Sequence, residues 1–485
     1  MRIPIDRGSN IPIYRQIEQY LRQSIESGVL PVATRLPAAR NLADDLEVSR
    51  ITVENAYASL EADGLVERRA GSGTYVLPGG PLPPLPSGGI PEWPRWQQGL
   101  ATVPGLFPVA ATPRSAATPP HPAPIRFRGF GDPRRFPIDD FSRAIREVIR
   151  RDGSAALEFG DPHGYRPLRT TIGHVLSSQG VQAHPDNVLI TSGSQQAIGL
   201  VTQILLNPGD VILVEAPTYD VALDLFRARR LTLVGCPVDA WGMQTDRLEA
   251  LLLQHRPRLI YTIPNFQNPA GTCMPLVRRR QLIALADRYS IPILEDDFVG
   301  DLRYDGRVQP ALKALDPGGR VIYIGTFSKL LMPGLRVGFL LAEGPIYDLL
   351  ARLKWVNDLA TSTLIQRALE LYVTVGRYQA HIRRSCQAYR RRRDALVQAI
   401  GRYLPATVHM TTPQGGLFGW LQLPPEWSAT RLQPYAAAEG VEFAPGTRFF
   451  PNQADGEPFV RLNFASRTPE EIEEGIQRLG RALRQ

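Results

Sequence analysis

The sequence predicts a multidomain chain: a short helix-turn-helix module closed by a glycine-rich hairpin, a proline-rich connector, and a large α/β domain on a mainly parallel sheet. Three observations predict it. Residues 1–77 carry short helical periodicities and end in two strand-like runs joined at Gly71-Ser72-Gly73. Residues 78–124 hold 14 prolines in 47 positions and a single acid, Glu92, the composition of an extended, semi-rigid spacer. Residues 125–485 alternate apolar strand-like runs with amphipathic helical runs, the pattern of βαβ units. At roughly 150 residues per folding unit, 485 residues fit such a division. The expected segments are therefore 1–77, 78–124 and 125–485, with Trp93 and Trp96 as points where the connector can dock.

Composition excludes several classes. No stretch is apolar enough to span a bilayer, and the first residues lack the apolar core of a secretory leader. Cys236, Cys273 and Cys386 are scattered and form no CxxC pair, which argues against a disulfide framework or a metal site and for a reducing compartment. A cytoplasmic protein is expected. The net charge of +8 suits an anionic partner without naming one. It does not come from the first segment, where nine arginines face ten acids.

In the first segment, Ile13, Ile17, Leu21 and Ile25 recur every four residues and predict a helix. The run RLPAARNLADDL predicts a second. In VSRITVENAYASLEADGLVERR, Ser49 is a candidate N-cap, and Val53, Ala56, Tyr57 and Leu60 fall at i, i+3, i+4 and i+7. That stripe leaves Arg50, Thr52 and Asn55 off the buried face. Two short helices with a turn at Leu46–Ser49 form a helix-turn-helix, whose second helix enters the major groove. LVERRAGSGTYV reads as a two-stranded wing. The whole run LPAARNLADDLEVSRITVENAYASLEADGLVERRAGSGTYV resembles the winged helix of the GntR family of bacterial regulators. The resemblance implies contacts to a double-stranded DNA operator from Arg40, Arg50, Thr52, Gly71, Ser72 and Gly73. Glu54 stands where a basic residue is common; it either points away from phosphate or accepts from a cytosine.

The large domain ends several predicted strands in polar residues. RVIYIG is followed by TFSKLLMPGLRVG, with Lys329, Thr326, Ser328 and Arg336. IPILEDDF ends in acids, Asp296 lying 33 residues before Lys329. RLIYTIPNFQNPAG ends in the turn carrying Asn268, and VILVEAPTYD ends near Tyr219. NVLITSGSQQAIGL reads as strand, turn and helix, so Ser194 and Gln195 sit at a helix N-terminus suited to phosphate. The chain has only three lysines, Lys313, Lys329 and Lys354, and one of them closes this constellation. Pyridoxal phosphate needs such a set: a lysine for its aldehyde, an acid for its ring nitrogen, a donor for its phenolic oxygen and an anion site.

The motifs FGDPHGYRPLR, TSGSQQA, EAPTY, PNFQNPAG, EDD and TFSKLLMPGLRVGF resemble fold-type I aminotransferases dependent on pyridoxal phosphate. The resemblance implies Lys329 as the Schiff-base lysine and catalytic group, Asp296 at the pyridine nitrogen, Asn268 at the phenolic oxygen and Tyr219 stacked on the ring. It places Ser194, Gln195, Thr326, Ser328 and Arg336 around the phosphate, and Arg461 at an effector carboxylate. Two residues depart from the pattern: Phe298 and Phe159 replace tyrosines, each removing a hydroxyl near the cofactor.

A GntR-type winged helix joined to an aminotransferase-like domain is similar to the MocR subfamily. That implies a homodimeric, DNA-binding transcription regulator that senses a small amine or amino acid through Lys329, with at most weak transamination. Two alternatives stay open: a working aminotransferase with an attached DNA-binding module, and a sensor of pyridoxal phosphate itself.

Overall fold

The computed structural model describes residues 3–9, 11–69, 71–77, 124–129, 131–327 and 329–485. The expected connector, with Trp93 and Trp96, lies outside the described residues up to position 123, and so does Ser328. The chain divides into two compact units, Met1–Val103 and Pro104–Gln485.

In the first unit, α1 (Ile13–Glu26), α2 (Ala39–Leu46) and α3 (Arg50–Ala62) precede the antiparallel pair β1 (Val66–Arg69) and β2 (Gly73–Val76). The four-residue spacing of α1 buries Ile17, Leu21 and Ile25. They share a core with Val53, Ala56, Tyr57 and Leu60, the stripe of α3. Glu47 ends α2 in a left-handed conformation (φ 52°). Ser49 then caps α3, its Oγ accepting from the Thr52 amide at 3.2 Å, worth about 1 kcal/mol. The wing has a contributor that the sequence pattern did not signal. The segment before α2 runs beside β2, with Ala33 N donating to Val76 O and Leu36 N to Thr74 O, both at 2.8 Å.

In the second unit, β3 (Ile125–Arg126) pairs in parallel with β14 (Val441–Glu442). Eight strands form the central sheet: β4 (Val188–Thr191), β5 (Val211–Ala216), β6 (Thr232–Asp239), β7 (Gly242–Met243), β8 (Leu259–Thr262), β9 (Ile293–Asp297), β10 (Val321–Thr326) and β11 (Gly338–Leu341). Their order is β4-β11-β10-β9-β8-β5-β6-β7. The run from β10 to β6 is parallel, while β11 is antiparallel to both its neighbours. Strands β4, β8, β10 and β11 are buried along their full length. Helices cover both faces of such a sheet, so these strands read as continuous apolar runs rather than alternations. A four-stranded antiparallel sheet follows: β12 (His409–Met410), β13 (Phe418–Gln422), β15 (Ala444–Pro445) and β16 (Phe459–Asn463), in the order β12-β13-β16-β15. The helices Arg377–Tyr403 and Pro469–Ala482 belong to this lobe, the second opened by a capping box between Thr468 and Glu471.

Candidate functional site

Ser194, Tyr219, Ile263, Asn268, Asp296, Phe298 and Lys329 line one cavity. Its residues come from the carboxyl ends of β4, β5, β8, β9 and β10. Parallel strands β5, β8, β9 and β10 deliver their ends to one edge of the sheet. The lining residues stand at and beyond those carboxyl ends, which is where open α/β sheets bind ligands.

Asp296 is 2% exposed. Its Oδ2 accepts from the Tyr261 hydroxyl at 2.8 Å, while Oδ1 is buried without a partner among the described residues. Burial raises its carboxyl to about 7; the Tyr261 bond and Lys329 oppose the rise and Asp297 adds to it. A buried acceptor left unmatched costs about 1–3 kcal/mol. A protonated pyridine nitrogen supplies the missing donor, so this carboxylate fits the ring of pyridoxal phosphate.

Burial lowers the Lys329 ammonium to about 7, with Arg336 and Arg461 acting in the same direction and Asp296 and Asp220 against it. An amine in that range is a competent nucleophile near neutrality. The other two lysines are held by acids: Lys313 lies 3.4 Å from Glu343 and Lys354 lies 2.9 Å from Asp358.

Asn268 and Arg461 meet inside the second unit. The Arg461 Nη1 donates to Asn268 Oδ1 at 2.7 Å, which leaves the Asn268 amide nitrogen as the donor available to a ligand oxygen. The Arg461 guanidinium lies 4.2 Å from the Phe418 ring centroid and 4.6 Å from that of Phe449. Burial lowers its pKa to about 10, and its Nε is buried without a partner among the described residues. A guanidinium desolvated in this way is primed for an anion.

The proposed phosphate end is built on the turn after β4. Gly193 has φ 105°, and a Cβ there would stand 2.6 Å from the Arg336 Nη2, so only glycine lets the guanidinium approach. Arg336 donates to the Ser192 carbonyl at 2.8 Å. Ser194 and Gln195 open the helix Ser194–Leu205, whose first amides have no intrahelical acceptor. The Gln195 side chain turns instead to the Val221 carbonyl at 3.3 Å, so its backbone amide is what it offers to this end. Thr326 is buried at the end of β10.

Tyr219 precedes the helix Asp220–Ala228, and burial raises its hydroxyl pKa. Phe298 lines the cavity and stacks on Phe418 with centroids 6.4 Å apart, so the hydroxyl expected there is replaced by an aromatic wall. Phe159 is 85% exposed and lines a different, more open groove with Leu157 and Leu364. Sequence reasoning missed Tyr261. Its signal was weak, because a tyrosine in the middle of an apolar strand reads as core.

The first unit presents Arg40, exposed in the first turn of α2, and Arg50, exposed at the start of α3. Arg50 Nε donates to Glu54 Oε1 at 2.7 Å. Glu54 is thus paired with the arginine one helical turn before it. The Thr52 hydroxyl lies 2.7 Å from Ser49 Oγ and is shared with the cap. In the wing, Ser72 Oγ lies 2.8 Å from the Tyr75 hydroxyl, and Gly71 and Gly73 have positive φ. Arg35 and Arg69, not singled out from sequence, border this wing: Arg35 packs against Gly73, and Arg69 lies 5.1 Å over the Tyr75 ring.

Residues 13–76 match the model of the bacterial regulatory proteins of the gntR family, and residues 129–479 match that of aminotransferase class I and II. The probable rhizopine catabolism regulatory protein MocR of Rhizobium meliloti is 31% identical, covering 99% of this chain and 95% of its own. Aromatic-amino-acid aminotransferase 1 of Thermococcus litoralis is 38% identical, covering 74% of this chain and 87% of its own. The crystal structure of LysN, the alpha-aminoadipate aminotransferase of Thermus thermophilus, complexed with N-(5'-phosphopyridoxyl)-L-leucine, superposes with TM-score 0.70 at 36% identity, covering 74% of this chain and 92% of that one. A single chain that holds both matched regions, and aligns with a regulator over nearly its whole length, belongs to the MocR-type branch of the GntR regulators: it is a DNA-binding transcription regulator dependent on pyridoxal phosphate, built on an aminotransferase fold.

Proposed function

We propose that the regulator senses a small amino acid, or an amine bearing an acidic group, in the Lys329 cavity, and that occupancy there alters its complex with operator DNA. The observation that carries this reading is Arg461: a buried guanidinium close to two phenyl rings, with an Nε that has no partner among the described residues and a bond to Asn268, which lines the cavity with Lys329. An effector carboxylate satisfies that guanidinium while its amine competes with Lys329 for the cofactor. When bound, pyridoxal phosphate supplies an electrophilic aldehyde carbon and an electron-withdrawing ring. Lys329 contributes the amine, Asp296 holds the proton at the ring nitrogen, and the Asn268 amide donates to the phenolic oxygen. Tyr219 covers the ring face. The first amides of the Ser194–Leu205 helix, with Ser194, Gln195, Thr326, Ser328 and Arg336, hold the phosphate.

On the DNA side, Arg40, Arg50, Thr52 and the Gly71–Gly73 wing contact the operator. The active form is a cytoplasmic homodimer. The exposed apolar side chains of Leu157, Phe159, Trp355, Val356 and Leu359 support that state. The effect on DNA is bounded by the difference in effector affinity between the two states, typically 1–3 kcal/mol. A screen of amines, amino acids and sulfonates tests the reading. Compounds that change the visible spectrum should also change operator affinity, and Arg461→Gln should abolish the response to acidic compounds first. Spectral responses with no effect on DNA for any compound would overturn it.

One further reading has a specific observation behind it. Lys329, Asp296 and Asn268 share one cavity, and the chain is 38% identical to an aromatic-amino-acid aminotransferase. Keto-acid release at rates of roughly 1–1,000 per second, with no effect of substrate on DNA binding, would favour an enzyme over a sensor.

A further inference from the structure

We propose that the ion pair between buried Lys354 and half-buried Asp358 is the positioning element of the phosphate cradle: it fixes the Ser192–Gly193 turn and, through the Ser192 carbonyl, the Arg336 guanidinium. The proposal rests on the reading that this turn and Arg336 receive the cofactor's phosphate.

Lys354 is one of only three lysines in the chain, and its side chain is 0% exposed. An ammonium taken that far from water is retained only if it is paired and hydrogen-bonded. Its partner is Asp358 Oδ1 at 2.9 Å. The second oxygen of Asp358 accepts from Gln196 Nε2 at 2.8 Å and from Ser192 Oγ at 3.2 Å. Gln196 closes the loop, its Oε1 accepting from the Ser192 amide at 2.7 Å. Ser192 therefore has its amide, hydroxyl and carbonyl all engaged, the carbonyl by Arg336 Nη2 at 2.8 Å. Gly193 follows directly, so close to Arg336 that a Cβ would not fit. A shift of the turn by a fraction of an ångström moves the guanidinium with it.

Two features argue that this pair serves the turn rather than its own helix. Asp358 closes the helix Pro345–Asp358, where an acid faces the negative end of the helix dipole. Its order, lysine before acid at i,i+4, is also the weaker one on a helix. The next residue, Leu359, leaves the helix at φ 59° and ψ −64°, a conformation that a non-glycine residue adopts only when its surroundings enforce it. Neither Lys354 nor Asp358 lines the cavity, so they act through Gln196 and Ser192.

The experiment compares pyridoxal phosphate with pyridoxal, which lacks the phosphate, in titrations of the full-length protein. Wild type should bind the phosphorylated form far more tightly. Lys354→Met and Asp358→Asn should each weaken pyridoxal phosphate by about tenfold, equivalent to about 1.4 kcal/mol, and leave pyridoxal unchanged. Removing a buried charge partner can unfold the domain, so Gln196→Ala is the companion variant. It removes the two bonds that Gln196 makes to Ser192 and Asp358, leaves the ion pair and the direct Ser192 Oγ–Asp358 bond intact, and should show the same selective loss in smaller measure. Equal losses for both ligands, or no loss in Gln196→Ala, would overturn the proposal. A wild type that does not distinguish the two ligands would instead overturn the phosphate-cradle reading beneath it.

Discussion

Raising the pH of the cofactor-free protein from about 6 to about 8 should speed its reaction with pyridoxal phosphate roughly tenfold and then level off. The reason is Lys329, whose ammonium is lowered to about 7 by burial and by Arg336 and Arg461. Only the neutral amine attacks an aldehyde. With a pKa near 7 about a tenth of the chains carry it at pH 6 and about nine tenths at pH 8, whereas an ordinary lysine near 10.4 would be neutral in under ~1% at pH 8 and would keep gaining above it. The cofactor titrates in the same range, so the decisive comparison is with a variant measured under identical conditions. Arg461→Gln keeps a donor for Asn268 but removes one of the charges that lower Lys329, so its midpoint should move up. The assay is stopped-flow absorbance of the bound cofactor, with borohydride reduction and peptide mapping to show that label resides on Lys329. A rate that climbs steadily past pH 9, or a midpoint unmoved by Arg461→Gln, would refute the electrostatic account. Label on Lys313 or Lys354 would refute the site. The stability sign follows from the same shift: between about pH 7 and 10 the unfolded chain binds a proton at Lys329 that the folded one lacks. This group therefore makes the cofactor-free fold more stable as pH rises through that window.

Asp296→Asn removes the carboxylate whose Oδ1 has no partner among the described residues; a charge-assisted hydrogen bond is worth about 1.5–3 kcal/mol, so equilibrium titration should show a loss of cofactor affinity of ten- to a hundredfold. Arg50→Ala and Arg40→Ala should each weaken operator binding, and if the contact is to phosphate the salt dependence of binding should fall by about one unit of slope; parent-like binding by both would mean that α3 does not sit in the groove. Glu54→Gln weakens the 2.7 Å bond that holds Arg50 and removes a charge that repels phosphate, so affinity for random duplex DNA, read by fluorescence anisotropy, should rise. Ser49→Ala should cost the first unit about 1 kcal/mol and Leu60→Ala about 2–5 kcal/mol, measured as shifts in its unfolding transition. Phe298→Tyr restores a hydroxyl to the cavity wall and should raise any residual transamination in a keto-acid assay; an unchanged rate would show that this residue is not what limits it.

What the sequence determined by itself was periodic or ordered along the chain. The four-residue spacing in α1, the stripe Val53–Leu60 and the Ser49 cap are local, because a helix face and its cap are set by residues within one or two turns. The strand ends that carry Tyr219, Asn268, Asp296 and Lys329 were legible because apolar runs stop abruptly in polar residues, and a parallel sheet delivers successive carboxyl ends to one edge. Tertiary structure decided what joins residues far apart. The Arg461–Asn268 bond spans 193 positions, and the link from Ser192 to Asp358 spans 166. No spacing rule reaches that far. It took folding to turn the Gln195 side chain toward Val221, to leave Phe159 exposed in another groove, and to bind Arg50 to Glu54. Each of these depends on which backbone passes close by. The perturbed pKa values of Lys329 and Asp296 belong there too, since desolvation is their largest cause, and burial is a property of the packed chain rather than of any residue in it.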